Sequence, residues 1–421
     1  MNKKTLSEII SCLPFICILA IVAMLPFRYS DWQRVALYAM AVAYPLDYIV
    51  NRRWQQWHWD SRKALFVAFI LFSLMTPLWQ LIDPLKTGLY QETVNAFAPF
   101  FFVGIAGILG MTDKIRMDYV AWVMLSMSAG IVCFLMVETG WQITDMQQWA
   151  QRFTENRIAF VNSHMVFNLY LNIAIVLGVM VLFETKHHWG VKTLTSFLML
   201  PSVFALLITE GRTGMLTLFI SFFLLIAYYV VRSRHWWLLA VLALFSVSGS
   251  AFLLHNDRIR EITQTTNPRI YQWRECIGMI TDRPLIGYGV CSARKEYVSR
   301  VLANEELRHL YIEPEVQQIP EFRQDGEIKY EMMHPHNAML ESWTRYGLLG
   351  IVLCMGCLLG PMCMRLGKYQ IYLTLCALAF LIQAMFESFG NNLQPLFLVS
   401  VTLLFYSAHL AEVTPSAPAH P

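Results

Sequence analysis

Charged residues are scarce in this 421-residue chain. They make up 14% of it, against about a quarter in soluble domains, while apolar residues make up 56% and the mean hydropathy is +0.45. A soluble protein of this length needs more polar surface than that, so a soluble globular fold is excluded. The excess of positive charge is small as well, since a net charge of +3 provides no basic field for nucleic acid. The sequence therefore predicts a membrane protein that does not bind nucleic acid.

The few charges are unevenly distributed along the chain. Residues 255–335 carry 24 charged residues in 81 positions, and the other 340 positions carry 37. Apolar runs of about 17–25 residues, the length that crosses a bilayer, predict twelve spanning helices outside this segment. The predicted spans are 12–27, 32–50, 64–82, 94–111, 119–138, 164–183, 193–209, 214–231, 236–254, 345–364, 370–386 and 392–410. The first run precedes no small-residue cleavage site, which favours a retained helix over a signal peptide.

The predicted domains follow from these spans. We expect transmembrane helices 1–9 over residues 1–254, a large loop over 255–335, helices 10–12 over 336–412 and a disordered tail over 413–421. With a cytoplasmic N-terminus, the inside segments carry fourteen Lys and Arg residues and the short outside loops carry five. The positive-inside rule therefore predicts that both termini are cytoplasmic and that the large loop lies outside, in the periplasm of a Gram-negative host.

Internal repeats, coiled coils and recognisable metal motifs are lacking. Seven of the nine cysteines lie in apolar runs, including the CxxC of Cys354 and Cys357, and small buried side chains are their expected role. Cys276 and Cys291 share the oxidising outer face, and the sequence leaves open whether they form a disulfide. Residues 287–289, Gly-Tyr-Gly, follow no strand, which favours a tight turn over a phosphate loop.

Arg212 lies in a short turn between two apolar runs. An arginine at this depth is costly unless it is paired or functional. Its planar guanidinium matches phosphate oxygens, which indicates a phosphate clamp. An interfacial anchor, or an ion pair with Glu210, is the alternative interpretation.

Arg269 and Arg274 lie at the start of a second candidate segment. Pro268 is typical of the first turn of a helix, and apolar residues then recur at helical spacing. These apolar residues are Ile270, Trp273 and Ile277. The pattern predicts an amphipathic helix against the membrane surface, on which the arginines either bind a ligand or form a solvated basic face.

Residues 334–337, His-Pro-His-Asn, mark the point where the loop re-enters the membrane. Histidine is the side chain best suited to exchanging a proton near neutral pH. His334 and His336 also raise the question of a metal site, but no HExxH or Cys/His set accompanies them, so we predict none. A structural histidine at the interface is the remaining alternative.

Together, arginines and a histidine at the outer face suit one kind of chemistry. The arginines would hold and release a pyrophosphate, and the histidine would remove a proton from an attacking hydroxyl. Because no ATP is available outside the cell, the donor must already be activated. A lipid-linked sugar pyrophosphate meets that need.

These segments resemble motifs of the O-antigen ligase and polymerase superfamily of bacterial polytopic membrane proteins. Residues 210–214 resemble its short arginine turn that opens a helix, although Gly211 stands where the family has Ser or Thr. Residues 269–289 resemble its Arg-x-x-x-Trp…Pro-Leu-x-Gly-x-Gly stretch, and residues 336–350 its His-Asn-x-x-Leu…Gly-Leu-x-Gly stretch. The resemblance covers about 210–350, and the first 150 residues are similar only in hydropathy.

The resemblance implies an all-α polytopic membrane protein with about twelve helices, a partly helical periplasmic loop and a membrane glycosyltransferase (GT-C-like) fold. It implies an O-antigen ligase that moves O-antigen from undecaprenyl pyrophosphate to a sugar hydroxyl of lipid A–core, without metal or cofactor, in the cell inner membrane. Direct displacement would invert the anomeric centre. His336 would be the catalytic base, and Arg212 and Arg269 would bind the pyrophosphate. Second-tier candidates are Arg157, Arg274, His334 and Asn337.

Three alternatives to the ligase stay open. An O-antigen polymerase, whose acceptor is a lipid-linked glycan, and a protein O-oligosaccharyltransferase would share the donor chemistry. The compact loop, and the lack of a soluble domain after the last run, favour the ligase. A twelve-helix secondary transporter is the alternative from a different class, but Asp47 is the only obvious acidic residue within a span. Nothing in the sequence indicates an oligomeric state.

Overall fold

The computed structural model describes residues 3–27, 30–55, 57–85, 88–110, 115–138, 164–208, 212–234, 237, 239–244, 246–247, 268–308, 323–324, 327–328, 334–388 and 394–413. The main helices are α1 (Lys3–Met24), α2 (Ser30–Val50), α3 (Lys63–Trp79), α4 (Gly88–Leu109), α5 (Met117–Glu138), α6 (His164–Glu184), α7 (Trp189–Ile208), α8 (Arg212–Ser233), α9 (Pro268–Asp282), α10 (Val290–Ala303), α11 (Ala338–Leu359), α12 (Gln370–Ala384) and α13 (Gln394–Val413). Short turns occupy Arg53–Gln55, Glu305–Leu307, Gly360–Cys363 and Gly367–Tyr369. Two strands, β1 (Arg323–Gln324) and β2 (Glu327–Ile328), pair antiparallel in the loop.

The protein is an all-α polytopic membrane protein, as predicted. Within the described residues, eight helices are long and apolar enough to cross a membrane. They are α1, α4, α5, α6, α7, α8, α11 and α13. Helices α3 and α12 are apolar but shorter, with 17 and 15 residues. Most of the predicted span over 236–254 lies outside the described residues, as does the tail beyond residue 413.

Two helices begin well before the predicted spans. Helix α1 begins at Lys3, well before residue 12, and α11 begins at Ala338, seven residues before the predicted start at 345. The early part of α11 escapes a hydropathy pattern because it buries polar groups, among them an ion pair between Glu341 and Arg345 at 2.6 Å. The helices α9 and α10 of the loop cover this part of α11, so it packs against protein.

The centre of the bundle is formed by α6, whose apolar window is 89% buried. It packs against α5, α7, α8 and α12, while α13 packs against α4. Between α3 and α4, buried phenylalanines meet edge to face with ring centroids 5.1–5.5 Å apart. They include Phe69, Phe72, Phe97 and Phe100. Such contacts add to the stabilisation from dispersion, which drives helix packing in lipid.

The loop helices have a small hydrophobic core of their own. Met279 of α9 packs against Tyr297 and Val301 of α10, together with Cys276. Cys276 and Cys291 are both buried free thiols, so in the structure they do not form a disulfide. The loop is therefore held by packing and by its contacts with the bundle.

Candidate active site

The connector between α9 and α10 docks against a break in α11. The backbone N–H groups of Tyr288 and Gly289 donate to the carbonyls of Thr344 and Arg345 at 2.9 Å. Gly347 interrupts the helix with φ +66° and ψ −154°, and a Cβ there would lie 2.2 Å from the Leu285 carbonyl oxygen. Only glycine fits a positive φ and so close an approach of backbones. The glycines of the two family-like stretches thus join the loop to the spanning helix. The turn itself lies at 284–286, just before the predicted 287–289, and residues 288 and 289 pair with the backbone of α11 instead.

The same connector is attached to the bundle by polar contacts. The indole N–H of Trp343 donates to the Pro284 carbonyl at 3.0 Å. Asp83, between α3 and α4, accepts from the N–H groups of Cys291 and Ser292 at 2.7 and 3.1 Å, and so caps the start of α10. A carboxylate at a helix N-terminus satisfies free N–H groups and complements the helix dipole. These contacts fix the loop helices relative to α11.

Asn337 sets the geometry of the histidine turn. Its side chain accepts from the N–H groups of Met339 and Leu340, which makes it the N-cap of α11, and its amide donates to the Met385 carbonyl at 3.2 Å. The residue before it, His336, has φ +48°, a left-handed conformation that is uncommon for any residue except glycine. Strain of this kind is typical of functional sites. The role of Asn337 is to hold the turn after α12 next to His336.

His336 and Arg269 converge on the carboxylate of Glu387. The Nδ1 atom of His336 lies 3.5 Å from Glu387 Oε1, and an Arg269 guanidinium nitrogen lies 3.9 Å from the same oxygen. The Glu387 side chain is 6% exposed, whereas those of His336 and Arg269 are 35% and 30% exposed. A buried carboxylate requires such cationic or N–H partners. The structure thus brings together two residues that the sequence separates by 67 positions.

Arg269 is held by the predicted helix α9. The indole N–H of Trp273, one turn further on, donates to the Pro335 carbonyl at 3.1 Å. The Arg269 guanidinium lies 5.7 Å from the ring centroid of Phe386, which is within cation–π range. The helix that the sequence predicted is therefore confirmed, and its first turn packs against both the histidine turn and the end of α12.

The rings of His334 and His336 are in contact, with centroids 4.0 Å apart and planes tilted by 48°. Burial lowers the pKa of His334 well below 6.5, and the positive charges that can lie nearby, on His336, Arg294, Arg345 and Arg269, lower it further. His334 is thus neutral near pH 7, and its buried Nδ1 has no hydrogen-bond partner among the described residues. Burial also lowers the pKa of Arg294 to about 10, against the attraction of Glu341.

Arg212 lies at the same end of the bundle as Glu387. Helices α8 and α12 run antiparallel, with the hydroxyls of Tyr229 and Tyr372 in a 2.6 Å hydrogen bond near the other end. At 1.5 Å per residue, α8 extends about 25 Å from Tyr229 back to Arg212, and α12 extends about 18 Å from Tyr372 to its last residue, Ala384. The first residue of α8 and the end of α12, three residues before Glu387, therefore lie on the same side of the tyrosine pair. The side chain of Arg212 lies outside the described part of the chain.

The remaining candidates are less closely associated with the site. Arg274 is exposed on α9, and no described contact joins it to His336 or Glu387. Arg157 lies outside the described residues. In the part of the chain that the structure describes, no group of three or more His, Cys, Asp or Glu side chains is arranged to hold a metal ion.

Glu387 is the site residue that sequence reasoning missed. It follows the predicted span 370–386 directly, and the signal that could have indicated it is an acidic residue at the outer end of an apolar run. Its importance depends on contacts from α9 and the histidine turn, which no sequence spacing reveals.

The fold and the site define a class: a polytopic membrane protein whose polar groups gather under a helical loop at one end of the bundle. Residues 196–355 match the protein family described as O-antigen ligase, and this match supports membership of the O-antigen ligase/polymerase superfamily. The family supports glycan transfer of the ligase or polymerase type in lipopolysaccharide biosynthesis, with lipid-linked glycan substrates. The match contains Arg212, Arg269 and His336 and ends before Glu387. No curated protein matches the chain in sequence.

Proposed function

We propose that the protein is an O-antigen ligase that transfers O-antigen from undecaprenyl pyrophosphate to a sugar hydroxyl of lipid A–core. The observation that carries the proposal is the convergence of His336 and Arg269 on the buried Glu387. The antiparallel course of α8 and α12 supports a location of Arg212, the first residue of α8, at the same end of the bundle. A proton acceptor and cations in one place suit a reaction in which a hydroxyl attacks and a pyrophosphate leaves.

His336 is the general base in this proposal. A carboxylate near Nδ1 favours the tautomer that carries its proton there, which leaves Nε2 to accept a proton from the acceptor hydroxyl. The imidazolium that forms is stabilised by Glu387. The distance of 3.5 Å is longer than a good hydrogen bond, and such contacts commonly shorten when substrate binds.

Arg269 and Arg212 bind the donor pyrophosphate. The acceptor oxygen forms a bond to the anomeric carbon, the bond from that carbon to the phosphate oxygen breaks, and undecaprenyl pyrophosphate leaves with additional negative charge. The guanidinium groups stabilise this charge as it develops, and losing one such contact costs roughly 10²–10³ in rate, as for oxyanion-hole donors. Attack from the face opposite the leaving group inverts the anomeric centre, and no metal takes part.

The proposed arrangement in the cell follows from the charge distribution. Both termini lie in the cytoplasm, the protein lies in the inner membrane, and the loop 255–335 covers the site in the periplasm. The acceptor, lipid A–core, then approaches from the outer leaflet.

Transfer by the purified protein tests the proposal. Lipid-linked glycan and lipid A–core are incubated with the wild type, with His336→Gln and with Arg269→Ala, and the glycosylated core is measured. We expect the wild type to transfer glycan in the presence of a chelator. The transfer rate should fall by at least about 10²-fold in both variants, because His336→Gln lacks the proton acceptor and Arg269→Ala lacks a charge-stabilising group. His188→Gln, an exposed histidine beyond α6, is the matched control.

Three results would contradict the proposal. Full activity of His336→Gln would rule out the base, and chelator sensitivity would indicate a metal. Glycan transferred to a second lipid-linked glycan, with none on lipid A–core, would identify a polymerase. Because the assay contains no ion gradient, transfer between lipids also argues against a secondary transporter.

A further inference from the structure

The first turn of α8 lies against two buried asparagines of α6. Asn168 and Asn172 are 1% and 2% exposed and, being four residues apart, lie on the same face of the helix. An amide side chain inside a membrane-spanning segment is costly and usually has a function. Neither asparagine belongs to the motifs that the sequence indicated.

Both asparagines contact Gly214. The Asn172 amide donates to the Gly214 carbonyl at 3.0 Å and to the Asn168 carbonyl at 2.9 Å. A Cβ at Gly214 would lie 2.7 Å from the Cβ of Asn168, so the backbone of α8 rests directly on the Asn168 side chain. A glycine is required at 214 for this close approach.

The contact between Asn172 and Gly214 leaves a buried polar atom without a hydrogen bond, which an apolar residue at position 172 would avoid. The Oδ1 atom of Asn172 is buried without a hydrogen-bond partner among the described residues, so only the donor half of the amide is used. Leucine has a similar volume and would pack against α8 without an unsatisfied oxygen. What asparagine provides, and leucine cannot, is the hydrogen bond to Gly214.

We propose that Asn172 and Asn168 are positioning residues for Arg212. Arg212 is the first residue of α8, two residues before Gly214, so fixing the Gly214 backbone fixes the point from which the arginine side chain extends. This inference rests on the proposed function, in which Arg212 binds the donor pyrophosphate. A misplacement of about 1 Å in such a contact can cost on the order of 10²-fold in rate.

A double-mutant cycle tests the proposal. For Asn172→Leu we expect the KM for the lipid-linked donor to rise, or kcat to fall, by roughly tenfold, while the acceptor KM changes less than about twofold. In an Arg212→Ala background the same substitution should have no further effect, because it acts through Arg212. Ser221→Ala is the control, since Ser221 lies further along α8 in the small space that Asn172 also lines.

A substitution at Gly214 provides a second measurement. Gly214→Ala should raise the donor KM or lower kcat by roughly tenfold, because its Cβ would lie 2.7 Å from the Asn168 Cβ and would move the start of α8 away from α6. Unchanged kinetics in Gly214→Ala would overturn the positioning role. Melting temperatures of all variants separate this effect from unfolding.

The outcomes distinguish the two proposals. An inactive wild type would overturn the proposed function and the positioning role together. An active wild type with unchanged kinetics in Asn172→Leu would overturn the positioning role alone. Additive losses in the Arg212→Ala background would do the same.

Discussion

At the scale of single residues, the site depends on a carboxylate between a histidine and an arginine. Glu387 is buried, whereas His336 and Arg269 are partly exposed, so the two more exposed groups share one buried partner. A carboxylate beside an imidazole orients the ring, as in other base–carboxylate pairs.

We predict that Glu387→Gln lowers kcat for glycan transfer by roughly 10²–10⁴-fold, because the amide removes the charge that stabilises the imidazolium. Steady-state kinetics of purified protein measure the change. Glu412→Gln, in an exposed pair with Lys368 at the other end of the bundle, is the control. Wild-type kcat in the Glu387 variant would show that His336 works without it.

His334 makes stability depend on pH. Its pKa in the folded protein is below the ordinary 6.5, so above pH 6.5 neither the folded nor the unfolded state carries the proton. As the pH falls below 6.5, the unfolded state binds a proton that the folded state excludes, and stability is lost.

We therefore predict that the melting temperature of wild type falls between pH 7.5 and 5.5 by more than that of His334→Phe. Phenylalanine keeps an aromatic ring beside His336 and has no group that titrates. Melting curves in detergent at the two pH values measure the difference. An equal fall in both proteins would contradict the assignment of the effect to His334.

At the scale of elements, the break in α11 joins the loop to the bundle. The Leu285 carbonyl oxygen lies so close to Gly347 that a side chain at position 347 would collide with it. The N–H of Leu348 donates a hydrogen bond to the same carbonyl at 3.2 Å. The break frees backbone groups in a spanning helix, and the loop satisfies them. This pairing places α9, and with it Arg269, over the start of α11.

We predict that Gly347→Ala destabilises the protein by about 1–3 kcal/mol, because alanine is strained at φ +66° and collides with Leu285. Thermal melting and transfer activity should both fall. Gly356→Ala lies in the same helix, where a Cβ meets nothing within 4 Å, and should be neutral or slightly stabilising. Equal behaviour of the two variants would show that the break is dispensable.

At the scale of the whole molecule, the two ends of the bundle carry different sets of polar residues. One end carries His336, Glu387 and the loop helices. The other carries ion pairs such as Arg232 with Glu184 and Arg62 with Asp60. Asp47, the acidic residue expected within a span, pairs with Arg53 at 2.7 Å near the end of α2.

We predict that a fluorescent protein fused after residue 413 fluoresces, because the positive-inside rule places that end in the cytoplasm. Alkaline phosphatase fused after residue 308 should be active, because the proposed topology places the loop in the periplasm. Cell fluorescence and phosphatase assays measure the two fusions. The reverse pattern would invert the topology and place the site in the cytoplasm.

Much of the fold could be predicted because hydrocarbon imposes a simple rule on sequence. Spanning helices must be long and apolar, and α4 to α8 follow the predicted spans within a few residues at most of their ends. The rule failed for the start of α11, where Glu341 and Arg345 face protein and can therefore be polar. Hydropathy reports what contacts lipid, and it says little about a helix covered by a loop.

Some residues of the candidate site could be predicted from the sequence, and others could not. Arg269 and His336 stand out because cations and imidazoles at helix ends near a membrane are costly without a role. Glu387 looks unremarkable in sequence, since an acidic residue after a span has many explanations. Asn168 and Asn172 are polar residues within a span, but the sequence does not show that they contact Gly214.

The sequence by itself determined the membrane class, the positions of most helices and the family-like segments, because each of these depends on residues close together in the chain. Only the tertiary structure decided that His336 and Arg269 share Glu387 and that α6 supports the first turn of α8. These contacts join residues tens of positions apart, and the packing of helices sets them. The low content of charged residues indicated a membrane protein, and the packing of the helices determined which of these few charged side chains are in contact.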